Sequence, residues 1–421
     1  MKNNRIVRWC IVLFLLLALP GLTATLAQGI NAPEAPATWN IYESEPNNTL
    51  QTADVIQLND LLGAQLGFDP DEVYDECETD WFRFNMPHDG FVLIDVDGFD
   101  GLSPGSYNYV YLYSENQTVI NGWEVGGDSD PDKKIFGFQK LNSGSYYLKV
   151  DGFDDCRPYE IALSTPLLIS AAAANLGTGT VAGINFQSGD ILAFSGLNNG
   201  EERWRMFFDA SDVGVKTLVN VATAEGLTDE IRFTVGSNTA ISGVGVATPW
   251  DIIIFKPERF PWGEGGYGDD TYGAFRMGFD GSEHQLTTSG EKLDAIAGGK
   301  YCDFLSTTGT AVVPNYSGTN IRFKDEDLGC WWLPSPEWLR AFVGADIQGL
   351  AVEDVFAAAY NDAESTMYLT ILGSGRVAGH KLTQKDIFAI DYSDSNWGGY
   401  VWRGPVHGWN YKIDAFEFGG W

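Results

Sequence analysis

The sequence predicts an all-β protein of two domains, an antiparallel β-sandwich followed by a four-bladed β-propeller. Three observations predict it. Glycine is abundant, 49 of 421 residues, beside 14 Trp, 18 Tyr and 25 Phe; glycine supplies turn dihedrals and aromatic rings fit pleated, half-buried surfaces. The apolar runs are short, alternating or β-branched, and bounded by Gly, Asn, Asp or Pro. The second half repeats a single four-strand pattern four times.

Length and composition set the outer limits. With 44% apolar and 14% aromatic residues the chain is rich enough for two or three packed cores. Its 26 Lys and Arg against 57 Asp and Glu leave a net charge of −31. A surface so acidic repels phosphate backbones and anionic lipid, so neither nucleic acid nor a membrane surface is an expected partner.

At the N-terminus, Lys2, Arg5 and Arg8 flank the start of the apolar run Trp9 to Leu19, and Thr25-Leu26-Ala27 precedes Gln28. That order describes a secretory signal peptide of residues 1–27, cut after Ala27, with 28–41 as a linker. Export to the extracellular space is the expectation. No later run approaches the ~20 apolar residues of a membrane span. Cys10 lies at the start of the apolar run and not after it, which argues against a lipid-modified cysteine. Removing 1–27 discards three basic residues and no acid, so the mature chain is more acidic still.

Cys77, Cys156, Cys302 and Cys330 remain. An even number in an exported chain points to two disulfides. The long gap in the middle favours Cys77–Cys156 and Cys302–Cys330 among the three connectivities. Neither pair has C-x-x-C spacing or a nearby His, which disfavours zinc.

Residues 42–164 contain Glu43-Ser44-Glu45-Pro46-Asn47-Asn48-Thr49, then Asp80-Trp81-Phe82-Arg83-Phe84, Gly90 to Val96, Tyr109-Val110-Tyr111-Leu112-Tyr113, Gly144-Ser145-Tyr146-Tyr147-Leu148-Lys149-Val150 and Tyr159 to Leu163. Each run reads as a strand, and together they make a small sandwich. Their order and spacing resemble the bacterial pre-peptidase C-terminal domain, a jelly-roll-like accessory module of secreted peptidases. The resemblance implies a calcium site, because relatives that bind collagen hold calcium with the Glu-x-Glu-x-Asn-Asn segment and acids ahead of the first core strand. Glu43, Glu45, Asn47 and Asn48, with Glu78 and Asp80, are the matching residues here. Six to eight hard oxygen ligands suit Ca²⁺; the alternative is a turn in which the Asn side chains bond local backbone. Such modules usually follow a catalytic domain, whereas this one leads, which weakens the link to a peptidase.

Residues 165–421 carry the repeat. An acid opens an apolar run at Asp190, Asp251, Asp327 and Asp386. A Trp- or Phe-rich strand follows at Trp204, Phe275, Trp338 and Tyr400. The third strand begins at Asn220, Asp294, Asp354 and Asp414, and the fourth at Ile231, Phe304 and Tyr368. The last copy of the fourth strand is found at the other end, as Leu167 to Ser170. Four units closed by an N-terminal strand describe a propeller without an open sheet edge; a sandwich of the same strands is the other arrangement. In this phase Cys302 and Cys330 fall on neighbouring strands.

Asn220, Asp294, Asp354 and Asp414 form an axial acidic ring if their strand lines the axis, and such a ring offers oxygens to a cation. The competing role is a turn-ending acid that bonds backbone amides. Acids recurring after the second strand, Asp209, Asp212, Asp280, Glu283 and Asp346, decay in the fourth unit and read as turn positions. Four histidines, with no H-E-x-x-H and no G-x-S-x-G, leave neither a zinc peptidase nor a serine hydrolase legible. A binding loop is expected at 260–272, where Trp262, Tyr267 and Tyr272 stand beside Asp269 and Asp270, since exposed aromatics beside carboxylates stack on sugars or anchor proteins.

The expected function is therefore a secreted, non-catalytic, calcium-stabilised binding protein. Its partner would be an extracellular polysaccharide, a surface protein or a secreted peptidase. The alternative is an extracellular hydrolase with Asp294, Asp354 and Asp414 as acid and base on the axis.

Overall fold

Period-2 patterning fixes which face a strand buries, and the strands at Asp80–Met86 and Tyr107–Ser114 show it directly. In the computed structural model the described residues are 41–67, 77–98, 107–126, 135–153, 156–171, 178–196, 202–215, 218–223, 230–259, 271–299, 301–315, 317–332, 337–362, 364–393 and 395–418. The expected signal peptide, most of the linker, and Trp262, Tyr267, Asp269 and Asp270 lie outside them. Among the described residues there is no α-helix.

The first ten strands are β1 (Ile41–Tyr42), β2 (Asp54–Val55), β3 (Leu61–Gln65), β4 (Asp80–Met86), β5 (Gly90–Asp97), β6 (Tyr107–Ser114), β7 (Val119–Gly126), β8 (Ile135–Leu141), β9 (Gly144–Phe153) and β10 (Pro158–Ser164). They form two five-stranded sheets, ordered β1-β3-β10-β5-β8 and β2-β4-β9-β6-β7. All pairs are antiparallel except β1 with β3 and β2 with β4. One core lies between the sheets, built from Leu62, Val92, Ile94, Val96 and Ile161 on one side and Phe82, Phe84, Val110, Leu112 and Leu148 on the other. Cys77 and Cys156 are joined.

The remaining strands are, in chain order, β11 (Leu167–Ala171), β12 (Gly179–Val181), β13 (Ile184–Phe186), β14 (Ile191–Gly196), β15 (Glu202–Phe208), β16 (Leu218–Thr223), β17 (Ile231–Val235), β18 (Thr239–Ile241), β19 (Gly245–Ala247), β20 (Ile252–Arg259) and β21 (Tyr272–Phe279). There follow β22 (Leu293–Gly298), β23 (Cys302–Thr307), β24 (Ala311–Pro314), β25 (Asn320–Phe323), β26 (Leu328–Trp332), β27 (Glu337–Phe342), β28 (Val355–Asn361), β29 (Thr366–Ile371), β30 (Ser374–Val377), β31 (His380–Thr383), β32 (Asp386–Asp391), β33 (Asn396–Arg403) and β34 (Ile413–Phe418).

Sixteen of these strands make four four-stranded sheets: β34-β11-β14-β15, β16-β17-β20-β21, β22-β23-β26-β27 and β28-β29-β32-β33. Each has a two-stranded hairpin between its second and third strands. The early strand β11 pairs with the late strand β34, Leu167 opposite Phe418 and Ile169 opposite Phe416, which is the pairing expected from the repeat. The first strands of the sheets touch in sequence, β34 to β16, β16 to β22, β22 to β28 and β28 back to β34. Hydrophobic cores follow the same order. Phe208 packs with Phe233 and Phe255, Phe279 with Trp338, Phe304 with Tyr360, and Trp204 with Trp402. Cys302 and Cys330, on neighbouring strands β23 and β26, are joined.

Strand β5 carries the continuous apolar run Phe91-Val92-Leu93-Ile94 because it is buried on both faces. Its outer side meets Phe207 of β15, with Phe91 and Phe138 edge-on to that ring at 5.7 and 4.8 Å between centroids. Arg205 adds an ion pair to the buried Asp95 at 3.2 Å.

Candidate functional site

The chain leaves β1 at Tyr42, passes the cis Glu45–Pro46 bond, and runs alongside the start of β4. Backbone bonds hold it there: Glu43 N–H donates to the Gly63 carbonyl at 3.1 Å and Trp81 N–H to the Asn47 carbonyl at 3.1 Å. Carboxylate oxygens of Glu43, Glu45 and Asp80 consequently lie within 4.8 Å of one another, and among the described residues they are the one group of three acids so placed.

The surroundings of this trio combine burial with oxygens that lack donors. Asp80 and Asn47 are fully buried. The Asp80 Oδ2 accepts from the Tyr159 hydroxyl at 2.6 Å, while Asp80 Oδ1, Asn47 Oδ1 and Asn48 Oδ1 have no donor. Glu43 accepts from the Gln65 amide and from Asn47 Nδ2 at 3.3 Å. Burial, reinforced by the neighbouring acids, raises the Glu43 carboxyl to about 7 and the Asp80 carboxyl to about 8. Buried oxygens of one sign with vacant lone pairs are stabilised by a hard cation. Of the six expected ligands, Glu43, Glu45 and Asp80 converge, and Asn47 joins them through its bond to Glu43. Glu78 stands beside Gly67, to whose carbonyl its N–H donates at 2.8 Å; its charge raises Asp80, but it is not one of the converging three.

Sequence reasoning missed Tyr159, which satisfies the second oxygen of Asp80 from the other sheet. No local signal carried it, since the pair is 79 residues apart.

The axial acids behave differently. β-bulges fall at Asn220, Asp294 and Asp414, but in the fourth sheet the bulge is at Phe356. The expected equivalence of Asp354 with the other three is corrected by two residues: aligned on the bulge, Asp354 matches Lys412. Asp294 is 4% exposed, and its two carboxylate oxygens and Asp354 Oδ1 are buried with no hydrogen-bond partner. Burial and the Asp354 charge hold Asp294 well above the carboxylate range, and burial followed by Asp325 raises Asp354 to about 6. Lys412, which the sequence reading passed over, faces this pair with its ammonium 3.5 Å from the Phe356 ring centroid. The side chain of Asn220 is outside the description.

Recurring acids elsewhere are structural. Asp209 and Asp280 each accept from the N–H and hydroxyl of the serine two residues on, Ser211 and Ser282, as turn acids do. Asp190, Asp251 and Asp327 tie the hairpin before the third strand to the loop after the fourth: Gln187 and Ala210, Thr248 and Gly281, Lys324 and Gly344 donate their backbone N–H groups to them. The histidines of the repeat are packed on rings, His284 on Phe279 and Trp331, His380 on Trp397, and His407 on Trp402.

A further surface lies on the outer face of β4, β9 and β6. Tyr107, Tyr109, Tyr111 and Tyr113 alternate with the buried Asn108, Val110 and Leu112, so all four tyrosines face outward, half-buried. Tyr109 and Tyr111 stack at 6.0 Å, Tyr113 contacts Trp81 at 5.1 Å, and Lys149 lies over Tyr111 at 5.9 Å. Gly122, opposite Tyr111, makes room for it: a Cβ there would fall 2.9 Å from the ring. Of the expected binding loop only Thr271, buried, and Tyr272, 61% exposed, are described.

No family model and no curated protein matches the chain. Among solved structures it is similar to the pre-peptidase C-terminal domain of a collagenase from Bacillus anthracis, at 22% identity over 27% of this chain and 94% of that one, with a TM-score of 0.21.

Proposed function

We propose that the protein is an exported, non-catalytic binder of an extended extracellular polymer, polypeptide or polysaccharide, with a first domain shaped by calcium and a second built as a closed four-bladed propeller. The observation that carries the binding reading is the tyrosine row on β6. Polar-tipped rings at alternate positions, with Trp81 and Lys149 beside them, offer apolar contact and hydrogen bonding along one line at low entropic cost. The opposite sheet of the sandwich is covered by Phe207 and its neighbours, which leaves the tyrosine sheet to meet a partner.

Calcium is supported by the converging Glu43, Glu45 and Asp80 oxygens and the unbonded Asn47 Oδ1. The propeller reading is supported by the four sheets, the cyclic order of their first strands and the β11–β34 pairing. The test is an array of matrix proteins and polysaccharides probed with the native protein and the Tyr109→Ala/Tyr111→Ala variant. Retained binding to one polymer class, lost in the variant, is the expected outcome. Turnover of a chromogenic glycoside or peptide, abolished by Asp354→Asn, would overturn the non-catalytic reading.

A further inference from the structure

Asp294 is the bulge residue of β22 in the third sheet, and both of its buried carboxylate oxygens lack a hydrogen-bond partner. A buried charge without partners is costly, so a compensating group is required. The main chain brings a second acid to it. Ser306, beside the bulge on β23, donates its hydroxyl to the Asp325 carbonyl at 3.2 Å, and the Val355 amide donates to the same carbonyl at 3.0 Å. Asp354 directly precedes Val355, and its Oδ1 is likewise buried without a donor. Strands β22 and β28 are direct neighbours, and Asp354 is the foremost charge acting on Asp294.

We infer that Asp294 and Asp354 bind a hydrated divalent cation of the Mg²⁺ class between the third and fourth sheets. The site is independent of the calcium and polymer readings above. Lys412 faces the pair, but its ammonium lies over the Phe356 ring at 3.5 Å and bonds none of the three oxygens. Asp325 and Asp414 add negative charge around it, so one ammonium does not balance the group. Carboxylate oxygens are hard ligands, suited to Mg²⁺, Ca²⁺ or Mn²⁺ rather than to copper. Among the described residues no three acids here lie within 4.8 Å of one another, unlike Glu43, Glu45 and Asp80. An ion between Asp294 and Asp354 therefore keeps several waters. That favours Mg²⁺, which dehydrates reluctantly and takes one or two carboxylates, over Ca²⁺, which collects six to eight oxygens.

The experiment counts Mn²⁺, a probe of the same octahedral class, by equilibrium dialysis against the full chain. Both proteins compared carry Asp80→Asn, which weakens the first-domain site equally in each. Asp80→Asn is expected to bind about one Mn²⁺ more per chain than Asp80→Asn/Asp294→Asn, and excess Mg²⁺ is expected to displace that ion. Equal binding by the two overturns the inference, and is the result if protons alone neutralise the pair. Crystals of the native protein grown with Mn²⁺ give a second reading that needs no variant to fold. An anomalous-scattering peak between Asp294 and Asp354 is expected; its absence, with or without a peak at Glu43, Glu45 and Asp80, likewise overturns the inference.

Discussion

At the scale of single residues, the acids divide by what occupies their lone pairs. Asp251 accepts from the Thr248 amide and hydroxyl and from the Gly281 amide. Asp251→Ala leaves those donors buried and unpaired, and is expected to cost about 1–3 kcal/mol in chemical denaturation. Asp80 lacks such donors on one oxygen, and its elevated titration, like that of Glu43, means that a cation must displace protons. Calcium affinity measured by titration calorimetry is therefore expected to rise from pH 6 to about 8 and then level off. In EDTA the sign for stability is the opposite. Both carboxyls are raised on folding, so stability falls between roughly pH 4 and their folded values. Glu43→Gln or Asp80→Asn should abolish the difference in melting temperature between calcium and EDTA. The Glu-x-Glu-Pro-Asn-Asn segment was legible because its residues are adjacent in sequence and form a local motif. Lys412 was not, because one lysine after Tyr411 carries no pattern; only the bulge register sets it against Asp294 and Asp354.

At the scale of strands and turns, periodicity was the reliable signal. Strand β5 holds the apolar run Phe91–Ile94 and is buried on both sides, while β6 alternates and presents its tyrosines. The face they form was thus readable in principle from Tyr107, Tyr109, Tyr111 and Tyr113, although only their strand character was drawn from the sequence. Tyr111→Ala is expected to reduce polymer binding severalfold while leaving the circular dichroism spectrum unchanged. Bulges were invisible, since one extra residue on a strand leaves the apolar pattern nearly intact, and this displaced Asp354 from its assigned rank. Glycine after the fourth strand is the other repeated device: a Cβ at Gly281 or Gly344 would fall 2.2 or 2.3 Å from the carbonyl oxygen of Trp250 or Glu326. Gly281→Ala should lower the melting temperature by forcing that loop away from Asp251.

For the molecule as a whole, the all-β class and the two disulfide pairings followed from composition and cysteine spacing. The junction between the two domains did not, because Phe91, Phe138 and Phe207 each look like ordinary strand aromatics until the faces are assigned. Phe207→Ala removes the ring both others pack against, and a loss of about 3–5 kcal/mol is expected, with the tyrosine face intact. The pairing of β11 with β34 has a consequence for synthesis. The first sheet receives its second, third and fourth strands early, and waits for its first until Ile413–Phe418 has been made. Until then β11 exposes an unpaired edge, so the order of translation leaves this sheet dependent on its final segment to seal it.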